Sequence, residues 1–138
     1  MVDGNILVVN NCGTYFENVK NAFSEISTQA NLCFAKTDVE AWSMLQASDK
    51  LTPPPKIMLI DINAEGINGI DLITRIRCDI KLKSILIFVI TNINNSENKQ
   101  AALNLNVAGY MHKPFEKEEM FSFFSTLNDY WNCIEFSR

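Results

Sequence analysis

The sequence contains a single histidine, His112, and four cysteines that form no C-x-x-C pair. Cys12, Cys33, Cys78 and Cys133 also show no metal-ligand spacing with that histidine, so zinc and a disulfide framework are both poorly supported. Reduced, mostly packed thiols are the expectation. No apolar run approaches the ~20 residues needed to span a bilayer. Met1-Val2-Asp3-Gly4-Asn5 lacks the basic and apolar stretches of a signal peptide, so no membrane association and a cytoplasmic location are expected. A basic stripe is missing too. The twelve Lys and Arg residues are scattered in a chain of net charge -4, which argues against nucleic-acid binding. Linkers, repeats and low-complexity segments are absent, so one domain over residues 1–138 is expected. What remains is ordinary for a soluble globular protein: 47% hydrophobic and 20% charged residues, in a length that can bury a sizeable core.

Apolar runs alternate with helical patterns, the sign of a βαβ series. Ile6-Leu7-Val8-Val9 predicts a first strand, and Phe16, Val19, Phe23 and Ile26 share one face of the helix after it. Leu32-Cys33-Phe34-Ala35 suits a short second strand. Thr37 and Glu40 form a capping-box pattern before a helix carrying Ala41, Met44 and Leu45. Pro53-Pro54-Pro55 blocks helix and ladder alike and marks a loop. Ile57-Met58-Leu59-Ile60 is a third strand, and Gly66 and Gly69 bracket a turn before a helix with Leu72, Ile73 and Ile76. Ile85 to Ile90 is apolar throughout, as a strand covered on both faces requires. Asn94, Asn95 and Ser96 suit an N-cap for a helix through Ala101, Ala102 and Leu105, which Asn106 is placed to end in a left-handed conformation. Gly109-Tyr110-Met111-His112 reads as a short fifth strand, stopped by Pro114. A last helix runs from about Glu116 to Trp131, with Met120, Phe124, Leu127 and Trp131 inward.

Parallel α/β sheets bind ligands beyond the carboxyl ends of their strands. Asn10 and Asn11 follow the first strand, Asp61 the third, Thr91 the fourth and Lys113 the fifth. Together they suggest one cluster of two amides, a carboxylate, a hydroxyl and an ammonium. That set suits phosphoryl chemistry: Asp61 as nucleophile, with Lys113 and the Thr91 hydroxyl stabilising charge on the phosphoryl oxygens. Taken singly, each has a plainer reading, Asp61 as a turn aspartate, Lys113 as a surface lysine, Thr91 as a β-branched strand residue. His112 alternates with Lys113 and is expected to face away.

These residues resemble the receiver domains of two-component signalling. Asp61-Ile62-Asn63-Ala64-Glu65-Gly66-Ile67-Asn68-Gly69 is similar to the family's phosphoacceptor loop, with a glycine eight residues after the aspartate. Val89-Ile90-Thr91 resembles the strand ending in a switch Thr or Ser, and Gly109-Tyr110-Met111-His112-Lys113-Pro114-Phe115 the closing segment with its Lys-Pro pair. The intervals, 30 residues from Asp61 to Thr91 and 22 from Thr91 to Lys113, are usual for receivers. The resemblance covers essentially the whole chain. It implies a flavodoxin-like (βα)5 three-layer sandwich with a parallel sheet in the order 2-1-3-4-5. It also implies a signalling switch rather than an enzyme. Asp61 would be the phosphoacceptor, Lys113 and Thr91 would bind the phosphoryl group, and Tyr110 is either the switch aromatic or a half-buried residue of an edge strand. A histidine kinase or phosphotransfer protein is the implied donor. A downstream protein, or a second copy in a homodimer, would dock on the surface of the fourth helix, fifth strand and fifth helix. Output is expected through such contacts rather than through an attached DNA-binding domain.

The resemblance fails at one place. Receivers end the first strand with two acidic residues that hold a divalent cation, and here both are asparagine. Mg²⁺ would have to use Asp61, Asn11, the Asn63 backbone carbonyl and, through water, Asn10. Amides bring no charge, so a weak or absent Mg²⁺ site is expected. The formal charge of the cluster moves from about -2 in the family pattern to about zero. Slow phosphorylation, none at all, or a fixed conformation is expected, although less repulsion at Asp61 and amide donors would oppose that loss in part. Glu65 stands where the family often has proline and reads as a solvated loop carboxylate, unless it turns inward to restore charge. The alternatives are a phosphorylation-independent pseudo-receiver acting as an adaptor and a flavodoxin-type cofactor binder. The latter lacks a glycine-rich first loop, since Asn10-Asn11-Cys12-Gly13-Thr14 offers one glycine.

Overall fold

Hydrophobic runs too short to be anything but strands set the centre of the molecule. The computed structural model describes residues 3–26, 29–46, 51, 53–62, 64–91, 96–112 and 117–133. Strands β1 (Asp3–Val9), β2 (Gln29–Ala35), β3 (Ile57–Ile60), β4 (Leu86–Thr91) and β5 (Gly109–His112) alternate with helices α1 (Gly13–Ser24), α2 (Asp38–Gln46), α3 (Gly69–Cys78), α4 (Ser96–Asn104) and α5 (Lys117–Asn132). The five strands form one sheet in the order β2-β1-β3-β4-β5, and every neighbouring pair is parallel. This is the expected architecture.

The period-two alternation of each strand divides the core into two layers. Leu7, Val9, Met58, Ile60, Ile87 and Val89 pack with Ala41, Leu45, Leu72, Ile73, Ile76 and Ala102 of α2, α3 and α4. Ile6, Val8, Ile57, Leu59, Phe88 and Ile90 pack on the other face with Tyr15, Phe16, Val19, Phe23, Met120, Phe124 and Leu127 of α1 and α5. Burying each such Leu, Ile, Val or Phe side chain contributes about 1.5–3 kcal/mol, which is why the central strands are apolar on both faces.

Local signals act much as the sequence suggests. The Thr37 hydroxyl accepts from Glu40 N–H at 3.0 Å, half of the capping box. Asn106 ends the α4 segment with φ 57°. Two expectations need correction. Strands β1 and β2 begin earlier than their apolar runs, because the polar residues before them also pair: Asn5 aligns with Asn31, whose Nδ2 donates to Asn5 Oδ1 at 3.1 Å. The thiols are not mostly packed either: Cys12, Cys78 and Cys133 are exposed and Cys33 is half-buried, all four free. The exposed three stand at helix ends, where the chain turns out to solvent. Among the last-helix aromatics, Phe124 is fully buried, Phe123 packs at the edge of the core, and Phe121 is exposed. Asn63, Asn94, Asn95, Lys113, Pro114, Phe115 and Glu116, and the side chain of Trp131, lie outside the described residues.

Candidate functional site

The site is built where the ladders of β1 and β3 run out. The Asn10 N–H still donates to Ala35 O at 3.0 Å, and the Asp61 N–H to Val9 O at 3.1 Å, so both residues are tethered one step beyond their strands. Val9 aligns with Ile60, which makes Asn10 and Asp61 neighbours across adjacent strands. Both are buried, at 2% and 6% exposure, among very few polar residues that are. Asn10 Nδ2 lies 3.4 Å from Asp61 Oδ2. At its other end Asn10 Oδ1 accepts from the Cys12 N–H at 2.9 Å. A backbone N–H only donates, so this contact fixes the amide: its oxygen faces Cys12 and its NH₂ faces the carboxylate.

Asn11 is exposed and turns across the rim instead. Its Nδ2 donates to the backbone carbonyl of Glu65 at 2.6 Å, joining the β1–α1 loop to the segment after Asp61. The Glu65 side chain is in solvent. That segment turns at Gly66, with φ 80°, and enters α3 at Gly69. A Cβ on Gly69 would lie 2.6–2.8 Å from Ile62, backbone included, so only glycine lets α3 close upon the residue after Asp61. Asn68 caps α3, its side chain accepting from Asp71 N–H at 3.2 Å.

Thr91 is the last residue of β4 and is 4% exposed. In the β3–β4 register Ile60 aligns with Val89, so Thr91 stands one residue beyond the level of Asp61 on the same rim. It pairs with His112, the exposed end of β5 and the residue before Lys113. Tyr110 is half-buried on β5, with Lys99 Nζ 5.8 Å from its ring centroid. Asn10, Asn11, Asp61 and Thr91 thus share one rim, while Lys113 and Asn63 lie outside the described residues. Among those described, no group of three or more His, Cys, Asp or Glu is placed to hold a metal.

Tyr15 is a site neighbour that the sequence pattern did not single out. It occupies the first turn of α1 and is 4% exposed. Burial, and then the charge of Asp61, push its hydroxyl pKa well above the ordinary value. The signal was available: Tyr15, Val19 and Phe23 form a row at i, i+4, i+8 along the buried face.

Comparison with known proteins accords with this geometry. The response regulator receiver domain family matches residues 6–124. The chemotaxis protein CheY1 of Helicobacter pylori is 32% identical over 110 residues, covering 80% of this chain and 85% of that protein. A two-component response regulator from Legionella pneumophila superposes with a TM-score of 0.77 at 30% identity, covering 94% of this chain and 99% of the other. The phosphorylated cyanobacterial phytochrome response regulator RcpA shares the fold at TM-score 0.88 and 17% identity, over 99% and 100% of the two chains.

Proposed function

The chain belongs to the response regulator receiver family, and on that premise we propose that Asp61 is its phosphoacceptor, served by a weakened cation site. Receivers of this kind are signalling proteins that interact with histidine kinases or phosphotransfer proteins. The observation that carries the reading is a buried carboxylate at the carboxyl end of the central strand, with an amide N–H aimed at it. An ionised Asp61 oxygen attacks the phosphorus of a phosphohistidine, the P–O bond forms as the P–N bond breaks, and the departing imidazole nitrogen takes a proton from solvent. Asn10 Nδ2 and the Thr91 hydroxyl, with Lys113, would stabilise the charge on the transferred group.

The weakness of the cation site follows from the donor set. Mg²⁺ takes oxygen ligands and favours carboxylates. Asn10 turns its NH₂ toward Asp61 and spends its oxygen on Cys12 N–H, and the Asn11 NH₂ is engaged by Glu65. The residues therefore do not fit a tightly held divalent cation. Output would run through protein contacts on the α4–β5–α5 surface, where Leu103, Phe121 and Tyr130 are exposed, and a cytoplasmic setting accords with the absence, among the described residues, of any helix long and apolar enough to cross a membrane.

Intact-mass measurement after incubation with a small phosphodonor tests the reading. One phosphoryl group should add slowly, with little response to Mg²⁺, and be lost in Asp61→Asn. Rapid, Mg²⁺-dependent modification would overturn the weakened site, and unchanged labelling of Asp61→Asn would overturn the phosphoacceptor. A second reading, a phosphorylation-independent adaptor, is favoured by the same Asn10–Asp61 contact, which holds the carboxylate without any ligand. It predicts no labelling at all.

A further inference from the structure

In a carboxylate-lined site, a cation holds together oxygens that would otherwise repel. Here one amide N–H already meets the Asp61 carboxylate and another the Glu65 backbone carbonyl. We propose that Asn10 and Asn11 form a metal-free clasp, which orders the loop after Asp61 by hydrogen bonds and makes its conformation independent of divalent cations. The idea rests on the proposed function only in taking Asp61 as the reactive carboxylate.

Two contacts carry it, and each spans more than fifty residues of sequence. Asn10 Nδ2 reaches Asp61 Oδ2 at 3.4 Å in a buried setting, and Asn11 Nδ2 reaches Glu65 O at 2.6 Å on the rim. One bond holds the side chain of Asp61, and the other holds the backbone just beyond it. The Cys12 N–H on Asn10 Oδ1, at 2.9 Å, keeps the first amide from reversing. An ionised aspartate can do neither job, because it has no proton to donate. At position 10 it would set a second carboxylate against Asp61, and at position 11 it would set an anionic oxygen against the Glu65 carbonyl. Both contacts would become repulsive, and only a cation placed between the oxygens would restore order. Asparagine at these positions thus supplies the attachment itself rather than merely lacking a charge.

The test compares the whole chain with its Asn10→Asp/Asn11→Asp double variant by thermal unfolding, in chelator and in millimolar Mg²⁺. The original chain should melt at the same temperature in both. The double variant should melt lower in chelator, by roughly 5–10 °C for a domain of this size, and recover much of that loss in Mg²⁺. An equal Mg²⁺ gain in the two proteins, or no loss in chelator, would overturn the clasp. Should the double variant fail to fold in either condition, Asn11→Ala serves, since that side chain is exposed. Hydrogen exchange in the segment 61–68 should then quicken by about fivefold, the factor equivalent to ~1 kcal/mol for one hydrogen bond. Unchanged exchange would equally refute the proposal. Neither readout involves a phosphodonor, so a chain that never takes phosphate can still show the clasp, and one that takes it can still lack it.

Discussion

Tyr15 shows how one buried group makes stability depend on pH. Its hydroxyl ionises in the unfolded chain near its ordinary value of 10.0, whereas in the folded chain burial and the nearby Asp61 carboxylate hold the proton on to higher pH. The folded state then binds more protons than the unfolded state, so stability falls as pH rises. The contribution is complete below about pH 10 and is lost progressively above it. Tyr15→Phe should flatten this alkaline decline in the urea midpoint, and parallel declines in the two proteins would reject the assignment. Residue identity made much of the site legible: Asp61, Thr91 and both asparagines stand where strand ends were expected to place them. Amide orientation was not legible, because it is decided by the Cys12 N–H, a backbone group that no side-chain pattern displays. Tyr15 was missed for a related reason, since its spacing reads as core and only the fold brings it beside a carboxylate.

Arg77 governs the packing of whole elements. From the last turn of α3 its guanidinium donates to four backbone carbonyls: Lys83 and Ile85 before β4, at 2.8 Å each, and Leu105 and Asn106 after α4, at 2.9 and 3.1 Å. Burial pulls its pKa below the ordinary arginine value. Arg77→Met should leave those carbonyls without their donor and cost about 2–4 kcal/mol, read as a lower urea midpoint. Arg77→Lys should rescue little, because one compact ammonium cannot reproduce the planar fork. A midpoint within error of the original in either variant would dismiss this role. The elements themselves were largely legible. Strands β3 and β5 coincide with their apolar runs, while β4 begins and ends one residue later than expected. That shift has a local cause: the Ile85 N–H bonds back to Leu82 O in a turn. The early starts of β1 and β2 were hidden because no apolar run marks them: Asn5 and Asn31 are polar and are held by strand pairing and side-chain hydrogen bonds.

At the scale of the molecule, the described residues form two core layers on opposite faces of the sheet, and Phe124 fastens the outer helices of one of them. It is fully buried and meets the rings of Phe23 of α1 and Phe123 at 5.6 and 5.1 Å between centroids, both edge to face. Phe124→Ala should cost about 3–5 kcal/mol through lost burial and the cavity left behind. Denaturant unfolding should show a lower midpoint at an unchanged slope, and a loss below about 1 kcal/mol would mean that α5 is not needed to hold α1. The alternation of strands and helices made the layers readable in advance; the packing partners within them were not, because a contact such as Phe23–Phe124 joins residues far apart in the sequence. The free thiols carry a practical consequence of this architecture. Cys12 opens α1 on the rim that holds Asp61, whereas Cys78 and Cys133 close α3 and α5 at the opposite end of the sheet. A maleimide dye on the first would watch the reactive rim, and the same dye on the others would provide an internal reference, so natural chemistry already furnishes the handles for fluorescence.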